Sequence, residues 1–262
     1  MPPHYAPEHD HASVFQYTGV VKAYQNRPPY PGELYAMLRE LVVDEPRVIL
    51  ELGCGLGEIA RELATDADLV DAVDPSEAML ALGRSLPGGD HPNLRWHHSS
   101  AEEFEYPATY GLIVAADSLF WMDRGAVFPL MSRALSARGR LAIVHREHDA
   151  PWSAQLPALI RRFSTITGYS YLASDMIEEL QKEDLFELER RCTTSPVPYR
   201  QSVDDYVEFW HSRSACSRDR MGADEAARFD AELRQIVEPY STEGILRYDV
   251  SADVVSGRPR EP

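Results

Sequence analysis

The chain has 262 residues, of which 44% are hydrophobic and 26% charged, and its formal net charge is −16. This length accommodates one sizeable α/β core with an accessory element. So negative a charge argues against a nucleic-acid partner, because binding to phosphates needs a positive protein surface. No stretch approaches the ~20 apolar residues of a membrane span, and the first residues lack a secretory signal pattern. We therefore expect a cytoplasmic protein with no membrane or nucleic-acid association.

The cysteines indicate neither a disulfide framework nor a thiolate metal site. Cys54, Cys192 and Cys216 are odd in number and far apart in the chain, and none belongs to a C-x-x-C pair. Secreted disulfide scaffolds and thiolate metal sites both use closely spaced cysteines. A reducing compartment fits this usage.

Residues 1–46 are predicted to form an N-terminal arm followed by one helix. The segment Arg27-Pro28-Pro29-Tyr30-Pro31 favours an extended conformation, because proline restricts its own backbone and that of the residue before it. Apolar residues with helical spacing resume at Leu34 and continue to Leu41. The order at the start of the chain is therefore arm, helix, strand.

Strands and helices alternate between residues 47 and 146. The apolar pattern predicts strands at residues 47–52, 69–74, 93–98, 110–116 and 141–145. It predicts helices at residues 59–64, 76–82, 101–104 and 128–135, with a turn at 138–140. This alternation is typical of a doubly wound, Rossmann-like α/β fold with a mostly parallel sheet. In such a sheet, ligands bind at the carboxyl ends of the strands.

The alternation loosens after residue 150. Helices are predicted at residues 153–166, 174–182, 203–214 and 223–238, and strands at 185–189 and 246–255. We expect these two strands to complete a seven-stranded sheet, with the helices of residues 203–238 inserted between them as a cover over a substrate pocket. The predicted domains are 1–46, which covers the ligand site, 47–150, which forms the ligand-binding core, and 151–262, which supplies the last strands and the cover.

Three alternating glycines follow the first predicted strand, at Gly53, Gly55 and Gly57. Glycine suits a sharp turn with positive φ and allows a ligand to approach the backbone. A dinucleotide site needs G-x-G-x-x-G, and here the third glycine comes one residue early. A phosphate-binding P-loop needs Gly-Lys-Ser/Thr, which is absent. Both of these nucleotide sites are therefore disfavoured.

The pattern Glu51-x-Gly53-x-Gly55-x-Gly57, with Asp74 at the end of the next strand, resembles motif I of the class I S-adenosylmethionine (SAM) methyltransferases. The segment at residues 27–31 is similar to the R-P-x-Y-P segment of the small-molecule branch, which includes methyltransferase type 11/25-like and trans-aconitate methyltransferase-like proteins. The resemblance is good over residues 24–146. It implies SAM as the cofactor, S-adenosyl-L-homocysteine as the product, and residues 47–150 as the SAM-binding core.

The resemblance also implies roles for individual residues in cofactor binding. Asp74 would accept both ribose hydroxyls, Glu51 would lie near the methionyl amino group, and the glycines would let the backbone approach the cofactor. For Arg27, pairing with the methionyl carboxylate and plain solvation are both open. The full predicted set is Tyr24, Arg27, Glu51, Gly53, Gly55, Gly57, Asp74, Pro75, Met79, Ser100, Ala101, Glu102 and Asp117.

Methyl transfer needs an in-line nucleophile held near the sulfonium, and a hydroxyl acceptor also needs a base. The histidines after the fifth strand lie at the expected ligand edge, and aromatic rings favour a sulfonium charge. The predicted catalytic residues are His145, His148 and Tyr17. The predicted substrate-binding residues are Phe120, Trp121 and His211. Phe120 stands where relatives have a histidine, so a base offered there by the family is missing.

No metal site is predicted. The compact group of residues 145–149 fits a polar loop better than a set of metal ligands. The predicted function is a SAM-dependent methyltransferase that modifies an oxygen or nitrogen of a small molecule, as a monomer or homodimer. Two alternatives remain open: a nucleic-acid or protein methyltransferase of the same fold, and a SAM-binding protein without methyl transfer, such as a cyclase or a regulatory subunit.

Overall fold

The computed structural model describes residue 15, residues 17–166 and residues 176–261. The first part of the predicted arm and the first two residues of the predicted helix at 174–182 lie outside these ranges. The described chain divides into two compact units. One, termed the helical unit, comprises the described parts of Met1–Pro29, His148–Tyr171 and Pro196–Val250. The other, termed the sheet unit, comprises those of Tyr30–Glu147, Leu172–Ser195 and Ser251–Pro262.

Eight strands form one mostly parallel sheet in the described residues. They are β1 Val48–Leu52, β2 Leu69–Asp74, β3 Leu94–His98, β4 Tyr110–Ala116, β5 Leu135–Asp149, β6 Phe186–Thr193, β7 Val197–Ser202 and β8 Ile245–Pro259. The strand order is β3-β2-β1-β4-β5-β8-β6, and β7 pairs with β8. Strands β1 to β5 pair in parallel, whereas β6 and β7 are antiparallel to β8. The predicted doubly wound α/β sheet is confirmed.

The sheet has one strand more than the seven predicted, and the additional strand is β7. Its sequence includes Pro198, which has no amide N–H to donate and therefore weakens a strand pattern. β7 pairs with the first half of β8. The predicted turn at 138–140 lies within β5, where the pairing with β4 jumps from Leu135 to Arg140. The chain therefore bulges at this point without leaving the strand.

Ten α-helices occur in the described ranges. They are α1 Thr18–Tyr24, α2 Gly32–Leu41, α3 Glu58–Leu63, α4 Glu77–Ser85, α5 Arg124–Ala134, α6 Leu156–Phe163, α7 Met176–Lys182, α8 Val203–His211, α9 Arg218–Met221 and α10 Ala223–Val237. Helix α1 was not predicted. The helix predicted at residues 101–104 is wrong, because the chain there forms only a turn, closed by the Phe104 amide and the Ser100 carbonyl at 3.1 Å. No helix in these ranges is long and apolar enough to cross a membrane.

The sheet unit buries apolar side chains on both faces of its central strands. Leu50 and Leu52 of β1 pack in one hydrophobic cluster, and Ile49 packs in another. Successive residues of a strand point to opposite faces, so the two clusters lie on the two sides of the sheet. This explains why β1 is buried along its whole length and why its sequence is almost continuously apolar.

The helical unit has an aromatic core of its own. Trp152, Tyr206, Phe209 and Trp210 are each at most 3% exposed. The Trp152 indole N–H donates to the Tyr206 hydroxyl at 2.8 Å, so the polar edge of the buried ring is satisfied. Helix α8 therefore packs with Trp152 into a core that has its own hydrogen bond.

Candidate active site

The glycine turn after β1 has the conformation that its composition predicts. Gly53, Gly55 and Gly57 have φ of +68°, +54° and +65°, in the left-handed region that favours glycine. A Cβ on Gly57 would lie 2.3 Å from the indole Cη2 of Trp96, and one on Gly53 would lie 2.5 Å from the Ser118 Cβ. Two of the glycines are therefore required by packing as well as by backbone conformation.

Asp74 ends β2 beside this turn and is only 7% exposed. Its Oδ2 accepts the Gly55 amide N–H at 2.7 Å, and its Oδ1 accepts the Ser76 amide N–H at 2.8 Å. Burial raises the pKa of the Asp74 carboxyl to about 6, although both amide bonds favour the ionised form. Each carboxylate oxygen has two lone-pair sites and accepts one of these bonds, so the group can accept two further donors.

Glu51 lies in the last part of β1 and is 3% exposed. Its Oε2 accepts the amide N–H of Ala60, in the first turn of α3, at 2.8 Å. Burial raises the pKa of Glu51 to about 8, the bond with Ala60 opposes this, and the carboxylates of Glu58 and Asp74 raise it further. A cation placed beside Glu51 would favour its ionised form.

The predicted contacts at the start of α4 lie next to Asp74. Ser76 caps this helix, and its Oγ accepts the Met79 amide N–H at 3.2 Å. Met79 is buried, whereas Pro75 is exposed. The turn therefore holds Met79 and Pro75 close to the carboxylate in sequence and in space.

The segment after β3 is held by its own side chains. Ser100 Oγ accepts the Glu103 amide N–H at 3.2 Å, and Glu102 Oε1 accepts the Asp123 amide N–H at 2.8 Å. Ala101 is 6% exposed and lies between them in sequence. The side chains of Ser100 and Glu102 thus stabilise the turn, which leaves the backbone as the simplest route for contact with a ligand.

A polar cluster lies at the carboxyl ends of β4 and within β5. Asp117 follows β4 with φ of +50°, an uncommon conformation for a residue other than glycine. Its Oδ1 lies 2.6 Å from the Nδ1 of His145 and accepts the Arg146 amide N–H at 3.3 Å. Its Oδ2 accepts the Tyr30 hydroxyl at 3.0 Å. Predicted residues 117 and 145 are thus brought together.

Arg146, Tyr30 and Glu58 complete this cluster. The Arg146 guanidinium lies 3.7 Å from the centroid of the Tyr30 ring and donates to Glu58 Oε2 at 2.9 Å. Glu58 Oε1 accepts the Tyr30 amide N–H at 2.7 Å. We term Tyr30, Glu58, Asp117, His145 and Arg146 the Tyr30 network.

Three members of the Tyr30 network were not predicted from the sequence as site residues. Glu58 directly follows the glycine turn, and Arg146 directly follows His145. Tyr30 is the tyrosine of the proline-rich segment. Placement near the carboxyl end of a strand was the available signal for Glu58 and Arg146, whereas the signal for Tyr30 was the proline-rich segment itself.

Phe120 and Trp121 follow β4 in a short 3₁₀ helix, Leu119–Trp121. Their rings are tilted, with centroids 4.8 Å apart, and both are partly exposed. They therefore pack on each other while keeping some surface for another group. Their role in binding a substrate stays a prediction.

The other predicted residues belong to the helical unit. The Arg27 guanidinium stacks 3.9 Å from the centroid of the Tyr24 ring. Its Nε donates to Ser212 Oγ at 2.9 Å and its Nη2 to the Ser212 carbonyl at 3.0 Å. Tyr17 is 46% exposed. Arg27 and Tyr24 are therefore brought together with each other and tied to the end of α8.

The two histidines of the helical unit differ from His145 in their surroundings. His148 meets the Phe209 ring edge-on, with the two centroids 5.2 Å apart. His211 is 2% exposed, with Nδ1 lying 2.7 Å from the Cys216 carbonyl and Nε2 lying 2.6 Å from Asp230 Oδ1. Both ring nitrogens of His211 are engaged within the helical unit, which fits a structural role. Among the described residues, no group of three or more histidine, cysteine, aspartate or glutamate side chains is arranged to hold a metal ion.

Residues 49–139 match the family model described as a methyltransferase domain. Over 87 residues the chain is 37% identical to a malonyl-[acyl-carrier protein] O-methyltransferase of Halalkalibacterium halodurans. This alignment covers 31% of this chain and 32% of that protein. The chain thus spans about a third of that relative's length. Over 205 residues it is 26% identical to an uncharacterized methyltransferase of Mycobacterium tuberculosis, covering 71% of this chain and 82% of the relative.

A solved structure from Anaeromyxobacter dehalogenans, assigned provisionally as a type II methyltransferase, shares the fold. Its TM-score is 0.64 and its sequence identity 23%, over 89% of this chain and 99% of that one. At this identity the likeness concerns the fold. The family match, in contrast, covers the glycine turn, Asp74 and Asp117.

Proposed function

We propose that the protein, whose residues 49–139 match a methyltransferase domain, transfers a methyl group from SAM to an oxygen or nitrogen of a small molecule. The observation that carries the cofactor part is the Asp74 carboxylate. It is buried at the end of β2 and held by the amides of Gly55 and Ser76, and it has acceptor capacity for a pair of hydroxyls.

The residues beside Asp74 fit the remaining parts of SAM. Glu51 is a buried carboxyl group with one bond to Ala60, and a ligand ammonium beside it would offset the cost of its ionisation. Gly53, Gly55 and Gly57 have no Cβ atoms, so a ligand can approach the backbone at these three positions between Glu51 and α3. Glu51, the glycine turn and Asp74 would thus hold the methionyl and ribose groups.

When bound, SAM supplies a methyl group on a positively charged sulfur, and loss of that methyl leaves the neutral thioether of S-adenosylhomocysteine. The bound cofactor would supply this methyl to a lone pair of the acceptor, and the electrons of the broken carbon–sulfur bond would stay on sulfur. An acceptor O–H or N–H must also lose a proton. His145, bonded to Asp117 through Nδ1 and 34% exposed in its side chain, is the residue we assign as the base that takes this proton.

A small acceptor is favoured by the charge of the chain. The formal charge of −16 repels nucleic acid, so a macromolecular substrate of that kind would need a positive surface that the composition does not supply. The assignment of residues 203–238 as a substrate cover, with contacts from Phe120 and Trp121, stays a prediction.

The cofactor assignment is tested by measuring the affinity for SAM and S-adenosylhomocysteine by calorimetry and by thermal shift. A ligand bound only by the native protein must raise its stability. We expect Asp74→Asn to weaken SAM binding roughly 10- to 100-fold, because it removes a charged hydrogen-bond acceptor. The control is Asp90→Asn, a substitution at an exposed aspartate. Wild-type protein that binds neither ligand at millimolar concentration would refute the assignment.

The acceptor class is tested by transfer of labelled methyl from SAM to panels of hydroxyl, amino and carboxylate metabolites, with RNA and protein extracts as separate arms. Product formation only with hydroxyl or amino compounds supports the proposal. Methylation of a carboxylate would need no base and would contradict the role of His145. Methylation confined to RNA or protein would contradict the small-molecule assignment.

A further inference from the structure

We propose that Tyr30 is a positioning residue, which locks the Asp117 carboxylate and through it holds the His145 imidazole in one tautomer. This inference rests on the proposed function, because it concerns the residue assigned there as the base. Tyr30 itself need not touch a substrate. Its effect is transmitted through a chain of two hydrogen bonds, from its hydroxyl to Asp117 and from Asp117 to His145.

The position of Tyr30 is determined at three points. Its amide N–H donates to Glu58 at 2.7 Å, its ring lies under the Arg146 guanidinium at 3.7 Å, and its hydroxyl donates to Asp117 at 3.0 Å. The side chain is also 8% exposed, so packing limits its rotation. Prolines on both sides restrict the backbone of this segment. Little conformational entropy therefore remains to be lost when the hydroxyl meets Asp117.

Asp117 has each of its carboxylate oxygens engaged by a different partner. Oδ2 accepts from Tyr30, while Oδ1 faces His145 Nδ1 and accepts the Arg146 amide N–H. Terminal carboxylate torsions are broad and soft, so bonds to both oxygens are needed to fix the plane of the group. The left-handed backbone of Asp117 has an energetic cost that surrounding interactions must offset, as is common at functional sites. The Tyr30 bond is one such interaction.

The fixed carboxylate determines which nitrogen of His145 carries the proton. Asp117 accepts hydrogen bonds when ionised, so His145 Nδ1 at 2.6 Å is the donor. In the neutral imidazole the other nitrogen, Nε2, then carries the lone pair. Glu147 Oε1 lies 3.5 Å from Nε2 and favours the protonated ring after proton transfer. The positive charge of Arg146 would disfavour a protonated ring, but its guanidinium is paired with the Glu58 carboxylate. The ring is thus prepared to take a proton at Nε2.

The test compares Tyr30→Phe with Tyr35→Phe. Tyr35 is a matched control, because its hydroxyl bonds Glu58 Oε1 at 3.3 Å, as the Tyr30 amide does, and has no described bond to Asp117. In protein labelled with ¹⁵N-histidine, the His145 signals are assigned with His145→Gln. We expect the wild type and Tyr35→Phe to show the Nδ1–H tautomer, and Tyr30→Phe to show a mixture of the two tautomers.

The kinetic counterpart uses the acceptor identified in the panel. We expect Tyr30→Phe to lower kcat ~10-fold, a fraction of the effect of a whole base, with the KM for SAM changed less than twofold. Its pH–kcat profile should also shift, whereas that of Tyr35→Phe should not. Asp117→Asn provides a second variant, and it should abolish the tautomer preference altogether.

Two outcomes would overturn the inference. If Tyr30→Phe keeps the wild-type tautomer and pH profile, Tyr30 does not position His145, although SAM binding and methyl transfer stand. If Tyr30→Phe and Tyr35→Phe lower Tm and kcat equally with no change of tautomer, the role of Tyr30 is structural. Failure of the proposed function has a different signature, because the wild type would then neither bind SAM nor transfer a methyl group.

Discussion

At the scale of single residues, the candidate site is characterised by two buried carboxyl groups. Glu51 and Asp74 are both less than 10% exposed, and burial raises the pKa of each. An acid with a raised pKa in the folded state binds its proton more tightly there than in the unfolded chain. The free energy of unfolding then falls as pH rises between the two pKa values. These residues would therefore be kept for ligand binding at some cost to stability.

Because ionising the buried Glu51 carboxyl lowers the stability of the fold, we predict that Glu51→Gln increases stability in a pH-dependent way. The pKa of Glu51 rises from an ordinary 4.5 to about 8 on folding, so the wild type loses stability between pH 4.5 and 8. Glutamine stays neutral and keeps an oxygen for the Ala60 amide. We expect the variant to be more stable than the wild type by roughly 4 kcal/mol at pH 8 and by only about 1 kcal/mol at pH 5, since one pKa unit corresponds to about 1.4 kcal/mol.

Denaturant unfolding at both pH values, in the absence of SAM, measures this effect. Glu105→Gln, at an exposed glutamate, is the control and should show little difference between pH 5 and pH 8. An equal stability change for Glu51→Gln at both values would mean that the ionisation of Glu51 does not burden the fold.

At the scale of elements, the junction of β1 and α3 is set by glycine and by a neighbouring strand. The Trp96 ring of β3 packs against the turn, and its indole N–H donates to the Gly89 carbonyl at 2.9 Å. The ring has no room for a Cβ at Gly57 or at Gly83. The geometry of the glycine turn thus depends on Trp96, which lies two strands away in the sheet.

We predict that Gly57→Ala destabilises the protein by roughly 2–4 kcal/mol, from the left-handed backbone and from overpacking against Trp96. The matched control is Gly244→Ala, which has φ of +74° with nothing within 4 Å of the new Cβ, and it should cost roughly 1–2 kcal/mol. Chemical denaturation of both variants checks this. If Gly57→Ala costs no more than Gly244→Ala, then Trp96 yields and the packing requirement does not hold. The double variant Gly57→Ala/Trp96→Leu should recover part of the loss.

At the scale of the whole molecule, the acidic excess acts on stability as well as on the choice of partner. The sequence contains 42 acidic and 26 basic residues. Many of the ion pairs between them involve exposed side chains, such as Arg133–Glu261 and Arg260–Asp184. Exposed pairs each contribute little to stability. The summed repulsion of the unpaired excess should therefore outweigh what salt removes from these pairs.

Consequently, we expect Tm at pH 8 to rise by a few degrees between 10 mM and 500 mM sodium chloride, because the distance over which charges repel each other shortens from ~30 Å to ~4 Å in this range. Differential scanning calorimetry measures it. At pH 5, close to the pI of 4.9, the same salt change should have little effect. A fall in Tm with salt at pH 8 would show that attractive ion pairs dominate instead.

By itself the sequence determined the sheet, the glycine turn and the resemblance to SAM-dependent methyltransferases. Buried parallel strands consist of short apolar runs, and the turn after β1 needs glycine at fixed spacing. Both features can therefore be recognised in a short stretch of sequence. Asp74 was found for the same reason, since it is the residue that ends the second strand.

The tertiary structure decided what depends on distant residues. Helix α1 has only seven residues and is marginal in isolation, so packing within the helical unit stabilises it. Strand β7 pairs with β8 despite its proline, because it lies at an edge. Tyr30 meets Asp117 across 87 positions and Arg146 meets Glu58 across 88. No local pattern records such partners, because parallel strands bring their carboxyl ends together only when the whole sheet has formed.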